Sequence, residues 1–389
     1  MDFVSEKVKN LPPYLFSQFQ QRKEQLKQKG VDVIDLGIGS PDLPTPAFIC
    51  EELKEQVNNL QNHRYSPYSG CDEFKQAVAS FYAKRYQVTL DPNTEVLALI
   101  GSKEGIANLI QAVINPMDKV LVPDPGYPAY QKGVHLAGGV SVSLPLDANN
   151  QYAPLFNQIS EQDALAAKLM FLNYPNNPTA AYGEWGTYLE AVSFCRRYNI
   201  LLAHDAAYDL VTFGDYKAPS ALQISGAKDF VVELGSLSKS FNMAGWRIGY
   251  IVGNKEVIAA LSTLKSNIDT CQFMPIQKAA AKALQSDLTA VKENNLIYEQ
   301  RMEKLHTALG KLGLHAEKPK GTLYLWVQVP REESSLTFAN RLLEETGIMV
   351  TPGTAFGANG EGFIRISLST HAERLDEVVR RLSKLDVKR

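Results

Sequence analysis

The stretch Ser236–Arg247, SLSKSFNMAGWR, sets one lysine, Lys239, between two serines, with Gly245 and Arg247 close behind. A lysine amine is protonated near neutral pH and a poor nucleophile; burial and neighbouring cations lower its pKa and make it reactive. Taken alone, a Ser-Lys-Ser reads as solvated surface, and the rest of the chain has to decide between the two readings. An apolar run, Phe230–Leu234, precedes the stretch and another, Gly249–Val252, follows it. Both read as buried strands. Further out, runs rich in Val, Ile and Leu at Glu95–Ile100, Lys119–Pro123, Lys168–Leu172 and Ile200–Ala203 alternate with segments of helical period that begin near Pro46, Asp72, Lys103, Tyr127 and Gly183. Strand, helix and strand at this spacing predict an α/β fold, a largely parallel sheet covered by helices on both faces.

The rhythm changes near residue 287. A long helical pattern over Asp287–Leu312 is followed by a strand at Thr322–Val329, a helix at Ser335–Glu345, strands near Ile348 and at Phe363–Ser367, and a last helix from Ala372. This predicts a smaller α/β unit over 287–389, with the N-terminal segment 1–44 packed on it through VDVIDL at Val31–Leu36, and a large unit over 45–286. A chain of 389 residues exceeds the size at which one core stops growing, so two units are expected.

Composition excludes several classes of function. Apolar residues make up 45% and charged residues 21%, the profile of a globular enzyme. A net charge of -2 with no Lys/Arg-rich run argues against nucleic acid as a partner. No stretch of about 18 apolar residues is present for a membrane span, and MDFVSEKVKNLPP lacks the apolar centre of a signal peptide, so a cytoplasmic protein is expected. The four cysteines, Cys50, Cys71, Cys195 and Cys271, form no CxxC pair and point to neither a metal site nor a disulfide framework.

Several motifs carry candidate chemistry. GSKEG at Gly101–Gly105 follows a strand and opens a helix, so backbone N–H groups and the helix dipole face the strand's end: a phosphate cradle, or a turn and cap. Asp205 ends the apolar run ILLAHD, where a carboxylate needs a cationic partner unless it caps the following turn. His204 beside it reads as a packed histidine rather than a base. Arg365 in GFIRISL has the planar fork that binds both oxygens of a carboxylate, or is an edge-strand charge. Tyr127 in VPDPGYPAY is a stacking surface or a rim tyrosine. GIG at Gly37–Gly39 continues as SPDLPTP and opens no helix, so it is no dinucleotide fingerprint.

Together and in this order, over about residues 32–367, these motifs resemble the class I aminotransferases, fold type I enzymes that depend on pyridoxal 5'-phosphate. The runs LIGSKEGIANL, VPDPGYPAY, LNYPNNPT and SLSKSFNMAGWRIGY are most similar to bacterial LL-diaminopimelate aminotransferases; methionine, aspartate and aromatic aminotransferases share much of the pattern. The resemblance implies a large domain with a mostly parallel seven-stranded sheet between helices, plus a smaller α/β domain. It implies that Lys239 holds the cofactor covalently and moves the proton, and that Ser102, the Lys103 amide, Ser236, Ser238 and Arg247 bind the phosphate. Asp205 would face the ring nitrogen, Tyr208 and Asn177 the ring oxygen, and Tyr127 the ring face. Arg365, with Gly39 and Asn177 beside it, would take the substrate α-carboxylate. Tyr65, in RYSPYSG, would reach the phosphate of a partner subunit, which implies a homodimer with shared sites. The usual glycine after Asn-Pro-Thr is Ala180 here, so that turn is expected to differ locally.

The implied reaction moves an amino group from an amino acid to a 2-oxo acid, 2-oxoglutarate being the expected acceptor. A lyase or decarboxylase built on the same residues is the nearest alternative. A ligand-sensing domain of a transcription regulator is a more distant one, since only about thirty residues precede the first strand.

Overall fold

The computed structural model describes residues 3–11 and 15–386. Numbered along the chain after a short β1 (Ile34–Asp35), the runs Val96–Leu99 (β2), Lys119–Asp124 (β3), Val140–Pro145 (β4), Ala167–Asn173 (β5), Leu201–Asp205 (β6), Val231–Ser236 (β7) and Gly249–Gly253 (β8) pair into one seven-stranded sheet, ordered β2-β8-β7-β6-β5-β3-β4. Pairing is parallel from β7 across to β4, and β8 runs antiparallel to both β7 and β2. All strands but β8 therefore point the same way and end on one edge.

These strands are apolar at nearly every position because both faces are covered. Successive residues alternate between two cores, as the twofold period of a strand requires. Val96, Leu121, Met170, Leu202 and Val231 pack with the helices Asp72–Tyr86, Trp185–Tyr198 and Met274–Gln285. Leu97, Val120, Phe171, Ala203 and Val232 pack on the other face with Ser102–Val113, Ala129–Leu136 and Lys255–Ser266. The strand of this sheet absent from the expectations above is β4, VSVSLP, at the sheet edge. Most of it is only half-buried, so its serines break the apolar run that marks the central strands.

A second core belongs to the C-terminal part. Strands Tyr324–Gln328 (β9), Ile348–Met349 (β10), Thr351–Pro352 (β11) and Phe363–Ser367 (β12) form a three-stranded antiparallel sheet, β11-β12-β9, and a parallel pair of β1 with β10. The 23-residue helix Thr289–Lys311 buries Tyr298, Met302, Leu305 and Leu309, one stripe at helical spacing, against this sheet. That core also takes in Ala180, Tyr208, Val211 and Phe213 from beyond the ends of β5 and β6. Backbone bonds from Phe213 N to Lys320 O (2.8 Å) and from Thr322 N to Val211 O (2.9 Å) fix β9 against that region. Among the described residues no helix is long and apolar enough to cross a membrane.

One polar cluster locks β6 to β7 inside the apolar sandwich. The Glu233 carboxylate accepts hydrogen bonds from Tyr82 Oη (2.6 Å), Ser220 Oγ (3.0 Å) and Ala221 N (3.0 Å), and pairs with His204 Nδ1 at 2.7 Å. His204 is wholly buried, a packed histidine as its position inside a strand suggests. Removing the carboxylate leaves these partners buried without an acceptor. Glu233→Ala is expected to cost about 3–5 kcal/mol, and Glu233→Gln markedly less, in urea unfolding of the apoprotein.

Candidate active site

A cavity of about 410 Å³ lies where the strand ends of the large sheet face β9 and β12, and every expected site residue except Tyr65 lines it. The topology explains the gathering. Residues at or just past the ends of parallel strands share one edge of the sheet, where backbone groups and side chains are left without sheet partners. Asn173 ends β5, Asp205 ends β6, Ser236 ends β7, and Tyr127 and Ser102 follow β3 and β2. Arg247 precedes the reversed β8 and so reaches the same edge from the opposite direction.

Lys239 sits in the single helical turn Leu237–Ser240 after β7, whose first residue is capped by Ser236 Oγ accepting from Ser238 N (3.2 Å). Its Nζ donates to Gly39 O at 2.8 Å. Part of the side chain stays open to the cavity, yet burial of the amine pushes its pKa below the ordinary lysine value, and the positive charges of Arg365 and Arg247 push the same way. Tyr324 and Asp205 oppose the shift. An amine of this kind is deprotonated more readily than a surface lysine, as a nucleophile or base requires.

One end of the cavity suits a multiply charged anion. The helix Ser102–Val113 points its N-terminus there, with Ser102, Ser236 and Ser238 and the Arg247 guanidinium around it. Gly101 takes φ +81°, and a Cβ on it would overlap the Arg247 guanidinium, so glycine lets the arginine lie directly on the turn. Gln272 Nε2 ties that turn together by donating to Leu99 O (2.8 Å) and Arg247 O (3.1 Å).

Asp205 occupies the middle of the cavity floor. Only 4% exposed, it accepts from Tyr130 Oη at 2.7 Å and from Ala207 N at 3.3 Å. Burial pushes its pKa up and the Tyr130 bond pulls it back. Among the described residues no cation pairs with this carboxylate within 4 Å, so a cation brought by a ligand fits it. Tyr130 is wedged between a stack on Phe171 (4.5 Å, 12°) and an edge contact with Tyr127 (5.7 Å, 85°).

The third corner holds Arg365. It is 1% exposed, with Nη1 donating to Asn177 Oδ1 (2.6 Å) and Nη2 to Gly37 O (2.7 Å). Its guanidinium lies over the rings of Tyr324 (4.2 Å) and Phe356 (4.6 Å). A buried, oriented guanidinium at the edge of a cavity can bind both oxygens of a carboxylate. Tyr65 lies elsewhere, 89% exposed on the surface.

The Asn-Pro-Thr-Ala turn keeps the conformation that glycine would supply. Ala180 adopts φ +58°, held by Ala180 N to Asn176 O (3.0 Å) and Asn176 N to Ala181 O (2.8 Å), with its methyl packed in the second core. Surrounding bonds and burial hold this left-handed alanine against an intrinsic penalty of about 1–2 kcal/mol.

Sequence reasoning passed over Asn173 and Tyr324. Asn173 donates to Asp205 O (2.7 Å) and accepts from Asn177 N (2.8 Å), and so joins β5, β6 and the Asn177 loop. Its signal was an amide ending the run KLMFLN. Tyr324 falls within the predicted strand Thr322–Val329, where a tyrosine is ordinary core and carries no signal.

An anion cradle, an unpaired buried carboxylate and a reactive amine in one cavity match the donor set that pyridoxal 5'-phosphate requires. The profile of the aminotransferases of class I and II matches residues 31–382. The LL-diaminopimelate aminotransferase of Aquifex aeolicus is 46% identical over 381 residues, 98% of each chain. Among solved structures, apo-BacF from Bacillus subtilis superposes with a TM-score of 0.96 at 40% identity over 100% of both chains. An aspartate aminotransferase mutant of Thermus thermophilus gives 0.92 at 27% identity, over 99% of this chain and 100% of that one. The chain belongs to the class I and II aminotransferases and is an enzyme that transfers amino groups between amino acids and 2-oxo acids with pyridoxal 5'-phosphate.

Proposed function

We propose that the amino donor is LL-diaminopimelate and the acceptor 2-oxoglutarate, which would give the enzyme a step in lysine biosynthesis. Several LL-diaminopimelate aminotransferases align with the chain over nearly its whole length at 43–46% identity, and this observation carries the substrate reading.

The roles of the side chains follow from their chemistry. Bound pyridoxal 5'-phosphate supplies an electron sink for the pair left when the substrate α-carbon loses its proton. Lys239 Nζ, its pKa lowered by burial, takes that proton. Arg365 binds the α-carboxylate through its fork, held in plane by Asn177 and Gly37, with Gly39 lining the same wall. Asp205 would face the ring nitrogen, Tyr208 and Asn177 the ring oxygen, and Tyr127 the ring face. Ser102, the Lys103 amide, Ser236, Ser238 and Arg247 would hold the phosphate. Covered by both units, the cavity limits water at the reacting carbon. The separate cores support a division into segments 1–44, 45–286 and 287–389.

A homodimer is proposed as well. Tyr65, Leu60 and Phe273 are 89%, 80% and 40% exposed on one surface, where Ser66 Oγ bonds Gln272 O and His63 contacts the Phe273 ring. A second copy covering this face would bring Tyr65 towards its phosphate site.

Glutamate formation from 2-oxoglutarate should be fastest with LL-diaminopimelate in a panel that includes methionine, aspartate and aromatic donors. A preference for another donor overturns the substrate reading. Lys239→Ala should lower turnover by about 10²–10⁴-fold or more and abolish the visible absorbance of the lysine-bound cofactor; retained turnover removes the lysine's role.

Asp205→Asn separates function from stability. Because the folded-state pKa of Asp205 is raised, the folded protein holds its proton more tightly, and burial of the carboxylate costs stability once pH exceeds that folded value. The variant apoprotein should therefore unfold no earlier than wild type at neutral pH. Its holoenzyme turnover should fall by roughly 10²-fold or more. Destabilised apoprotein with normal turnover would reverse the assignment.

Sedimentation of the holoenzyme should give a dimer, and Tyr65→Phe should weaken cofactor binding without dissociating it. A fully active monomer removes the Tyr65 contact.

A further inference from the structure

Tyr324 is a buried cavity residue that lies against Arg365, Tyr208 and Gly39. It is 2% exposed, the first residue of β9, two positions before the residue that pairs with Arg365 across the sheet. Its ring lies 4.2 Å beneath the Arg365 guanidinium. Its hydroxyl is 2.8 Å from that of Tyr208, with the two rings edge to face at 5.7 Å. A Cβ on Gly39 would overlap the Tyr324 ring and hydroxyl, so Gly39, whose carbonyl holds Lys239 Nζ, packs flat against it. An ordinary core tyrosine needs one partner for its hydroxyl; this one spends both the ring face and the hydroxyl on cavity groups.

We infer that Tyr324 is a positioning residue with two separable tasks: its ring fixes the Arg365 guanidinium for the substrate carboxylate, and its hydroxyl directs the Tyr208 hydroxyl into the cavity. The inference rests on the roles proposed above for Arg365 and Tyr208. The first task is electrostatic. The ring face of Tyr324 attracts the guanidinium, which also lies over the Phe356 ring, while Asn177 and Gly37 hold its two terminal nitrogens. The second concerns a single proton. Tyr208 has one O–H, and for that proton to be offered to an acceptor in the cavity, Tyr324 must be the donor in the 2.8 Å bond. Accepting a bond makes Tyr208 a stronger donor in turn. An oxygen anion held by Tyr208 is then better stabilised, and a proton shared near it leaves at lower pH.

Tyr324→Phe keeps the ring and removes the hydroxyl; Tyr324→Leu removes both. In the holoenzyme, the pH midpoint of the bound cofactor's visible absorbance should rise by about 0.4–1 unit in Tyr324→Phe, the equivalent of one neutral hydrogen bond. Its KM for the amino donor should stay within about twofold of wild type because the ring remains. Tyr324→Leu should show the same spectral shift and also raise KM on the order of three- to thirtyfold, with a smaller change in kcat. An unmoved midpoint in Tyr324→Phe overturns the hydroxyl's task, and wild-type KM in Tyr324→Leu overturns the ring's. Should Tyr324→Leu fail to fold, the midpoint and KM of Tyr324→Phe still decide, since a KM rise equal to the spectral effect would show that the two tasks are not separable. Tyr208→Phe and Arg365→Lys distinguish the failures. If they move midpoint and KM while the Tyr324 variants do not, the inference alone is wrong; if they move neither, the roles beneath it are wrong.

Discussion

Parallel pairing is the constraint on which the rest of this structure depends. Strands that all run one way must end on one edge, and a strand end is where backbone groups leave the sheet and side chains can converge on a ligand. The register Asn173–Asp205 between β5 and β6, continued as Asp205–Leu234 into β7, puts an amide, a carboxylate and the segment leading to Lys239 side by side. Glu233 and His204 hold that register from within the sheet. The antiparallel β8 adds what a parallel strand could not, an arginine that enters the edge from the chain before the strand.

The site so formed is costly for the protein alone. Burial raises the pKa of Asp205 and lowers that of Lys239, so the charged form of each is disfavoured relative to water. Arg365 is nearly inaccessible. Protein partners such as Tyr130, Gly39, Asn177 and Gly37 offset part of these costs, and the charges of a cofactor and substrate would offset more. The large core supplies the stability that tolerates them, which is why the site lies between two well-packed cores rather than within one.

The sequence made the repeated apolar runs legible because a strand buried on both faces must be apolar at every position. The edge strand VSVSLP escaped for the same reason, since half of its surface is not in the core. Motifs close in sequence to the chemistry, SLSKSFNMAGWR, ILLAHD and GSKEG, were readable as local patterns of strand end, turn and helix start. Ala180 shows the limit of local reasoning: propensity argued against a left-handed alanine, and the surrounding hydrogen bonds and core imposed it.

By itself, then, the sequence determined the class of fold and singled out Lys239, Asp205 and Arg365 as candidates, each short motif keeping a second reading that only the family resemblance of the whole set weighed against. Tertiary structure alone decided that these residues, up to about 330 positions apart as Gly37 and Arg365 are, meet around one cavity. It also decided which otherwise ordinary residues, Asn173, Tyr130 and Tyr324, hold them there. The physical reason is that a side chain's partner depends on where distant strands end and which face they share, and neither is encoded within the reach of a local motif.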